Sequence, residues 1–234
     1  MALSPDDTAQ LARNLAAVQE RIAQACRASG RDPAGVQLVA VTKYAHAPFA
    51  QALLELGQLD LGENRVQHLL EVDAALDGDP RPRWHLIGHL QKNKVKAVAP
   101  RLDTLHTLDG EVLAEKLSAA REGLPPLKVY LQLKLAESEG RAGAGSDELE
   151  PLWRRACDLT GLEPLGLMGL PPRGAPEEAR PHFRRLRQAA GRLDTQQLSM
   201  GMTADLEVAI AEGATVVRVG SALLEGLSDD ARLP

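Results

Sequence analysis

Aromatic side chains are scarce in this chain: two Phe, two Trp and two Tyr make up 3% of 234 residues. That removes the stacking platforms on which single-strand nucleic-acid binders lay their bases. Cysteine is nearly absent as well, with Cys26 and Cys157 far apart on segments that read as helical. A disulfide framework or a zinc site needs more thiols at closer spacing, so no metal is expected. No run approaches the ~18 apolar residues of a membrane helix. The opening Met1-Ala-Leu-Ser-Pro-Asp-Asp7 has neither the basic nor the apolar region of a secretory signal. Positive charge is not in excess either: 27 Lys and Arg against 32 Asp and Glu leave a net charge of −5. That is the wrong sign for a general nucleic-acid surface. Basic residues cluster only around Lys92–Lys96 and Arg180–Arg187, which on helices read as solvated faces. The expectation is a cytoplasmic protein that binds neither nucleic acid nor membrane.

What is present is a regular alternation. Ser4 is an N-cap candidate, with Pro5 at the first helical position and Asp6 and Asp7 in the first turn. Leu11, Leu15, Val18, Ile22 and Cys26 then recur at steps of three and four, which predicts one long helix to about Gly30 with a single buried stripe. Eight β-rich runs follow: Val36–Thr42, Leu59–Gly62, Trp84–Ile87, Thr104–Leu108, Leu127–Leu135, Leu162–Leu170, Gln197–Met200 and Thr215–Ala222. Helical patterns separate every neighbouring pair, over Pro48–Leu56, Val66–Leu76, Lys92–Val98, Glu111–Arg121, Asp147–Thr160, Pro176–Leu193 and Ala204–Glu212. Strict strand–helix alternation implies parallel strands with right-handed crossovers. Eight units with no linker composition between them predict a single (β/α)8 TIM barrel over 1–234 with an additional N-terminal helix. A doubly wound open sheet is the alternative.

In a barrel, chemistry collects at the C-terminal ends of the strands. Near the last two strands, Ser199, Gly201 and Thr203 surround the start of a helix, and Gly220 and Ser221 follow the next strand. Such donor-rich clusters after the seventh and eighth strands are where barrels of this type hold phosphate. Arg218 stands two residues before the second cluster, in an otherwise apolar strand, where a charge is costly to bury without a partner. Lys43 ends the first strand, Leu38-Val-Ala-Val-Thr-Lys43. An amine at the rim of an apolar barrel loses hydration, which favours the neutral form that attacks carbonyls; a snorkelling lysine is the plainer reading. The first and eighth strands adjoin in a closed barrel, so Lys43 and Arg218 should lie close together. A ligand carrying an aldehyde and a phosphate would use all three features, and pyridoxal 5′-phosphate (PLP) is such a ligand, with Arg218 facing its pyridine nitrogen. Asn64 and His85 fall at or near strand ends and are further candidates for the cofactor ring. Asn64 also suits a turn, and His85 a satisfied core histidine. Met168 and Met200 read as core.

The segments Val39-Ala-Val-Thr-Lys43, Gly62-Glu-Asn64-Arg-Val-Gln67, Trp84-His-Leu-Ile-Gly-His-Leu-Gln-Lys-Asn-Lys94, Gly166-Leu-Met-Gly-Leu170, Leu198-Ser-Met-Gly-Met202 and Val217-Arg-Val-Gly-Ser221 carry a resemblance. Together and in order, the chain resembles the YggS/PROSC family of pyridoxal-phosphate homeostasis proteins, whose fold is similar to the barrel domain of alanine racemase. The resemblance implies that Lys43 is the internal aldimine lysine. It implies too that Ser199, Gly201, Gly220 and Ser221 bind the phosphate and that Arg218 faces the pyridine nitrogen. The chain departs from the family pattern at Tyr44-Ala45-His46, after the lysine. It departs again at Glu139-Gly-Arg141-Ala-Gly143, where the family tends to show a Lys-Ser-Gly-like turn.

Racemases of this fold take a second acid–base residue, typically a tyrosine, from an additional β domain. None is expected after the last strand here, and Tyr44 should point away from Lys43 along a strand. A cation at the pyridine nitrogen also weakens the ring as an electron sink. The reading favoured is a PLP carrier in intracellular homeostasis, without robust turnover, that serves PLP-dependent apo-enzymes. A weakly active amino-acid racemase and a Schiff-base aldolase acting on a phosphorylated sugar are the alternatives.

Overall fold

The computed structural model describes residues 2–135 and 142–233. Its first element is the expected long helix, α1 (Pro5–Ala28), in which Ser4 Oγ accepts from the Asp7 backbone N–H at 3.0 Å. Leu11, Leu15, Val18, Ile22, Ala25 and Cys26 form its buried stripe. Burying a side chain of the Leu, Val or Ile class is worth about 1.5–3 kcal/mol, so this face holds α1 against the barrel.

Eight strands follow: β1 (Gln37–Val41), β2 (Asp60–Glu63), β3 (Arg83–Leu86), β4 (Leu102–Leu108), β5 (Leu127–Gln132), β6 (Leu162–Met168), β7 (Gln197–Ser199) and β8 (Val216–Val219). They pair in parallel in sequence order and close, with β8 hydrogen-bonded to β1. Between them run α2 (Ala47–Glu55), α3 (Val66–Ala75), α4 (Val95–Val98), α5 (Glu111–Ala120), α6 (Leu149–Asp158), α7 (Arg180–Arg192) and α8 (Leu206–Ala211). The expected (β/α)8 barrel is the observed one. Most of the apolar core lies between strands and helices, whereas Val39, Tyr130, Met168 and Val216 form a separate cluster inside the barrel. Met200 is fully buried in the main core. Among the described residues, no helix is long and apolar enough to cross a membrane.

The eighth strand is shorter than its β-rich sequence predicts. It stops at Val219, and Ser221–Leu224 turn into one more short helix, α9, after Gly220. Leu223 and Leu224 are both buried in it. The α1 helix ties down this end of the barrel. Asn14 Nδ2 donates to Leu223 O and Glu225 O, Arg21 pairs with Glu207 at 2.8 Å and donates to Thr203 O, and Asp7 accepts from Ser228. The N-terminal helix therefore braces the two loops that follow β7 and β8.

Candidate functional site

The site builds up from the β8–β1 seam. Arg218 pairs across it with Val39, and both lie in the barrel wall. Lys43 follows four residues after Val39, beyond the last strand residue, Val41. It lies in a turn closed by the Ala45 N–H donating to Thr42 O at 2.9 Å. Leaving the strand changes the expected direction of Tyr44: with no alternation to impose opposite faces, its ring comes under the amine, 4.6 Å from Lys43 Nζ to the ring centroid. The turn is held from behind. Thr42 Oγ donates to Glu63 Oε1 at the end of β2, and Glu63 has no exposed surface. Burial pushes the Glu63 carboxyl up, against hydrogen bonding from Thr42 and the nearby His68.

Asn64 follows at the same rim. Its side-chain Oδ1 is buried and has no hydrogen-bond partner. Its backbone is packed against Gly88, where a Cβ would lie 2.0 Å from Asn64 O, so the loops after β2 and β3 need glycine to meet. At the end of β7, Gly201 has φ +93°, and a Cβ there would lie 2.6 Å from Ala209 Cβ on α8. Its carbonyl accepts the Arg218 N–H at 3.0 Å. Asp205 Oδ1 accepts the Met202 N–H at 2.6 Å. Among the described residues, the backbone N–H groups of Thr203, Ala204, Gly220 and Ser221 have no protein acceptor. A cavity of about 660 Å³ opens beside them, lined by Tyr44, Thr203, Ser221, Ala222 and Arg232 among others.

Arg218 is 3% exposed. Burial drives its pKa down to about 10, partly offset by the charges of Asp205 and Tyr130. Among the described residues no carboxylate bonds to it; Nη1 donates to Ser199 Oγ, and Nη2 lies 3.5 Å from Gly169 O. Ser199, fully buried, is 2.7 Å from His106 Nδ1. His106 Nε2 is 2.9 Å from His85 Nδ1, and His85 Nε2 is 3.0 Å from Asp60 Oδ1. Asp60 Oδ2 takes Arg83 Nη2 at 2.6 Å, at the opposite end of the barrel. Burial raises the Asp60 carboxyl, but bonds from His85 and Arg83 outweigh it and hold it below the ordinary carboxylate range. His106 is pushed well below the usual imidazole value by burial, and further by His85 and Arg218. Its ring also stacks on Tyr130 at 5.0 Å.

Two expected residues thus have tasks other than those foreseen. Both His85 nitrogens are engaged inside the barrel, so it connects to the mouth only through His106. The Ser199 hydroxyl is committed to Arg218 and His106 and has no exposed surface to offer a phosphate. Asp60 was not foreseen as part of the site; its only sequence signal is a charged residue sharing strand parity with Gly62. Glu139–Arg141, the departure from the family turn, lies outside the described residues.

The chain matches the alanine racemase N-terminal domain family over residues 7–227. It is 40% identical to the pyridoxal phosphate homeostasis protein of Pseudomonas aeruginosa, over 91% of this chain and 94% of that one. Among solved structures, PipY of Synechococcus elongatus with PLP bound superposes with a TM-score of 0.80 at 33% identity, covering 91% of this chain and 99% of that chain. The crystal structure of an unknown protein from Bifidobacterium adolescentis superposes with a TM-score of 0.84 at 30% identity, covering 95% of this chain and 97% of that one. This chain belongs to the alanine racemase N-terminal domain family.

Proposed function

We propose that this protein binds PLP and serves in its intracellular homeostasis, holding the cofactor at Lys43 without robust turnover. The observation that carries the reading is Arg218, a buried cation at the closed seam with no carboxylate on its guanidinium among the described residues. Such a group is costly unless something polar meets its remaining N–H donors, and a pyridine nitrogen is an acceptor of that kind. The rest of the rim fits the same ligand. The unpaired N–H groups at Thr203, Ala204, Gly220 and Ser221 suit a phosphate, and the partnerless Asn64 Oδ1 suits a donor on the ligand. When bound, PLP supplies an aldehyde for a lysine amine and a ring whose electron demand depends on protonation at nitrogen.

In this reading Lys43 holds the aldehyde carbon, and Gly201, Gly220 and Ser221 border the phosphate. Arg218 meets the ring nitrogen, while Ser199 and His85 act behind it. An arginine there disfavours protonation of the ring nitrogen and so argues for holding the cofactor over processing amino acids. The homeostasis name of the Pseudomonas relative and the PLP held by PipY support the assignment. A single PLP-binding barrel over 1–234, a cytoplasmic location and PLP-dependent apo-enzymes as recipients belong to the same proposal.

The test is a visible spectrum with added PLP, followed by borohydride reduction and peptide mapping. Visible absorbance and a label on the Lys43 peptide are expected. A colourless protein that takes up no PLP, with Lys43→Ala behaving as wild type, would overturn the reading. The second reading, weak amino-acid racemisation, gains from the Tyr44 ring beside Lys43 Nζ; a racemase rate abolished by Tyr44→Phe would establish it.

A further inference from the structure

The polar chain through the barrel has two ends of fixed character. Arginine can only donate and an ionised carboxylate can only accept. A neutral imidazole between them has one hydrogen to give and one lone pair to receive with, so with both histidines neutral only one arrangement satisfies all four contacts. Arg218 Nη1 donates to Ser199 Oγ, the Ser199 hydroxyl to His106 Nδ1, His106 Nε2–H to His85 Nδ1, and His85 Nε2–H to Asp60. In that arrangement both histidines carry their hydrogen on Nε2.

We propose that Asp60 is a positioning residue for the cofactor site: by fixing the tautomers of His85 and His106, it keeps the Ser199 oxygen as an acceptor reserved for Arg218. The link spans the barrel from its N-terminal end, where Asp60, Arg83 and His85 line a polar hollow of about 380 Å³, to the seam beside Lys43. Reversing the chain would make His106 Nδ1–H donate to Ser199. The serine would then accept from two donors at once and hold Arg218 more weakly. Hydrogen bonds in such chains polarise one another, which lets the far end be felt at the near one.

Asp60→Asn is a sharp probe because Arg83 decides how the new amide faces. Arg83 donates to the position of Oδ2, so the amide oxygen must turn to Arg83 and its NH₂ to His85 Nε2. A donor there demands the opposite tautomer, and the reversal propagates along the chain. With ¹⁵N-labelled histidine and no cofactor added, NMR of the wild-type protein is expected to show both His85 and His106 as Nε2–H tautomers. In Asp60→Asn both are expected as Nδ1–H. An Nδ1–H form of either histidine in the wild type, or unchanged tautomers in the variant, overturns the proposal.

The step from tautomer to ligand rests on the PLP reading and is measured separately. Asp60→Asn is expected to weaken PLP binding about tenfold and to shift the absorbance maximum of the bound cofactor. Ser199→Ala, which removes the acceptor but leaves the Asp60 end intact, is expected to weaken binding at least as much. Unchanged PLP affinity in Ser199→Ala overturns the proposal even if Asp60→Asn does not fold. If the wild-type protein takes up no PLP, the cofactor reading fails, and the tautomer result still decides the chain.

Discussion

Arg218 and Val39 are cross-strand partners in the β8–β1 pair, which places the guanidinium in the barrel wall four residues below Lys43. In the proposed site the two side chains would meet one ligand from different levels: Lys43 from the rim turn, and Arg218 from inside the wall. A lysine at position 218 keeps the charge but loses the planar fork with which arginine can hold Ser199 and a ring nitrogen at once. Hydrogen bonds to charged groups are worth about 1.5–3 kcal/mol. Arg218→Lys is expected to raise the Kd for PLP by about 10- to 100-fold while Lys43 can still be labelled by borohydride. Titration by absorbance checks this, and an unchanged Kd would show that the guanidinium geometry is not used.

Gly201 packs the loop after β7 against α8. Its φ of +93° lies where L side chains are strained, and a Cβ would sit 2.6 Å from Ala209 Cβ. Gly201→Ala is expected to cost about 1–3 kcal/mol. For a chain of this size that is a fall in Tm of several degrees, at roughly 2–4 °C per kcal/mol. Thermal unfolding without cofactor reads the cost directly. Gly213→Ala is the contrast: its φ is +103° too, but the nearest atoms to its Cβ are 3.5 Å away on the Arg187 side chain. It should carry the backbone strain alone and lose less.

Much of this architecture is legible in the chain. Alternating strands and helices set the barrel, and the seam between its first and last strands follows from closure. What was hidden falls into two kinds. Ser221 and Ala222 read as the end of a strand because β-rich residues run up to them, yet Ser221–Leu224 form a helical turn that buries Leu223 and Leu224 beneath α1. That is a tertiary choice, invisible to local pattern. The Asp60–His85–His106–Ser199–Arg218 chain is hidden for another reason. Its members come from five strands and span more than 150 positions in sequence, and each alone looks like a single polar residue in an apolar run. Only the barrel register brings them into contact.

Tyr44 lies under the Lys43 amine. Its ring is half exposed, and Lys43 Nζ sits over it at 4.6 Å. A cation–π contact at an exposed site is worth about 0.5–1 kcal/mol. Tyr44→Leu should free the amine and speed capture of PLP by about two- to fivefold, whereas Tyr44→Phe, which keeps the ring, should match the wild type. Stopped-flow absorbance separates the two. Equal rates in all three proteins would mean that the ring does not restrain Lys43.

His106 makes the fold sensitive to acid. In the native protein burial keeps its imidazole neutral well below the ordinary value, whereas in the unfolded chain it takes up a proton near pH ~6.5. The unfolded state therefore binds more protons below that pH, and native stability falls as pH drops through it. Above it, the His106 contribution is fully present. Each proton taken up only on unfolding steepens the dependence by about 1.4 kcal/mol per pH unit. His106→Gln has an amide that can donate to His85 and accept from Ser199 but cannot titrate. Denaturant unfolding of wild type and His106→Gln, compared from pH 7.5 down to about 5.5, should show the wild type losing stability faster. The separation should open only below pH ~6.5. Parallel curves would mean that the imidazole is charged in the folded barrel, which the Arg218-to-Asp60 direction of the chain does not permit.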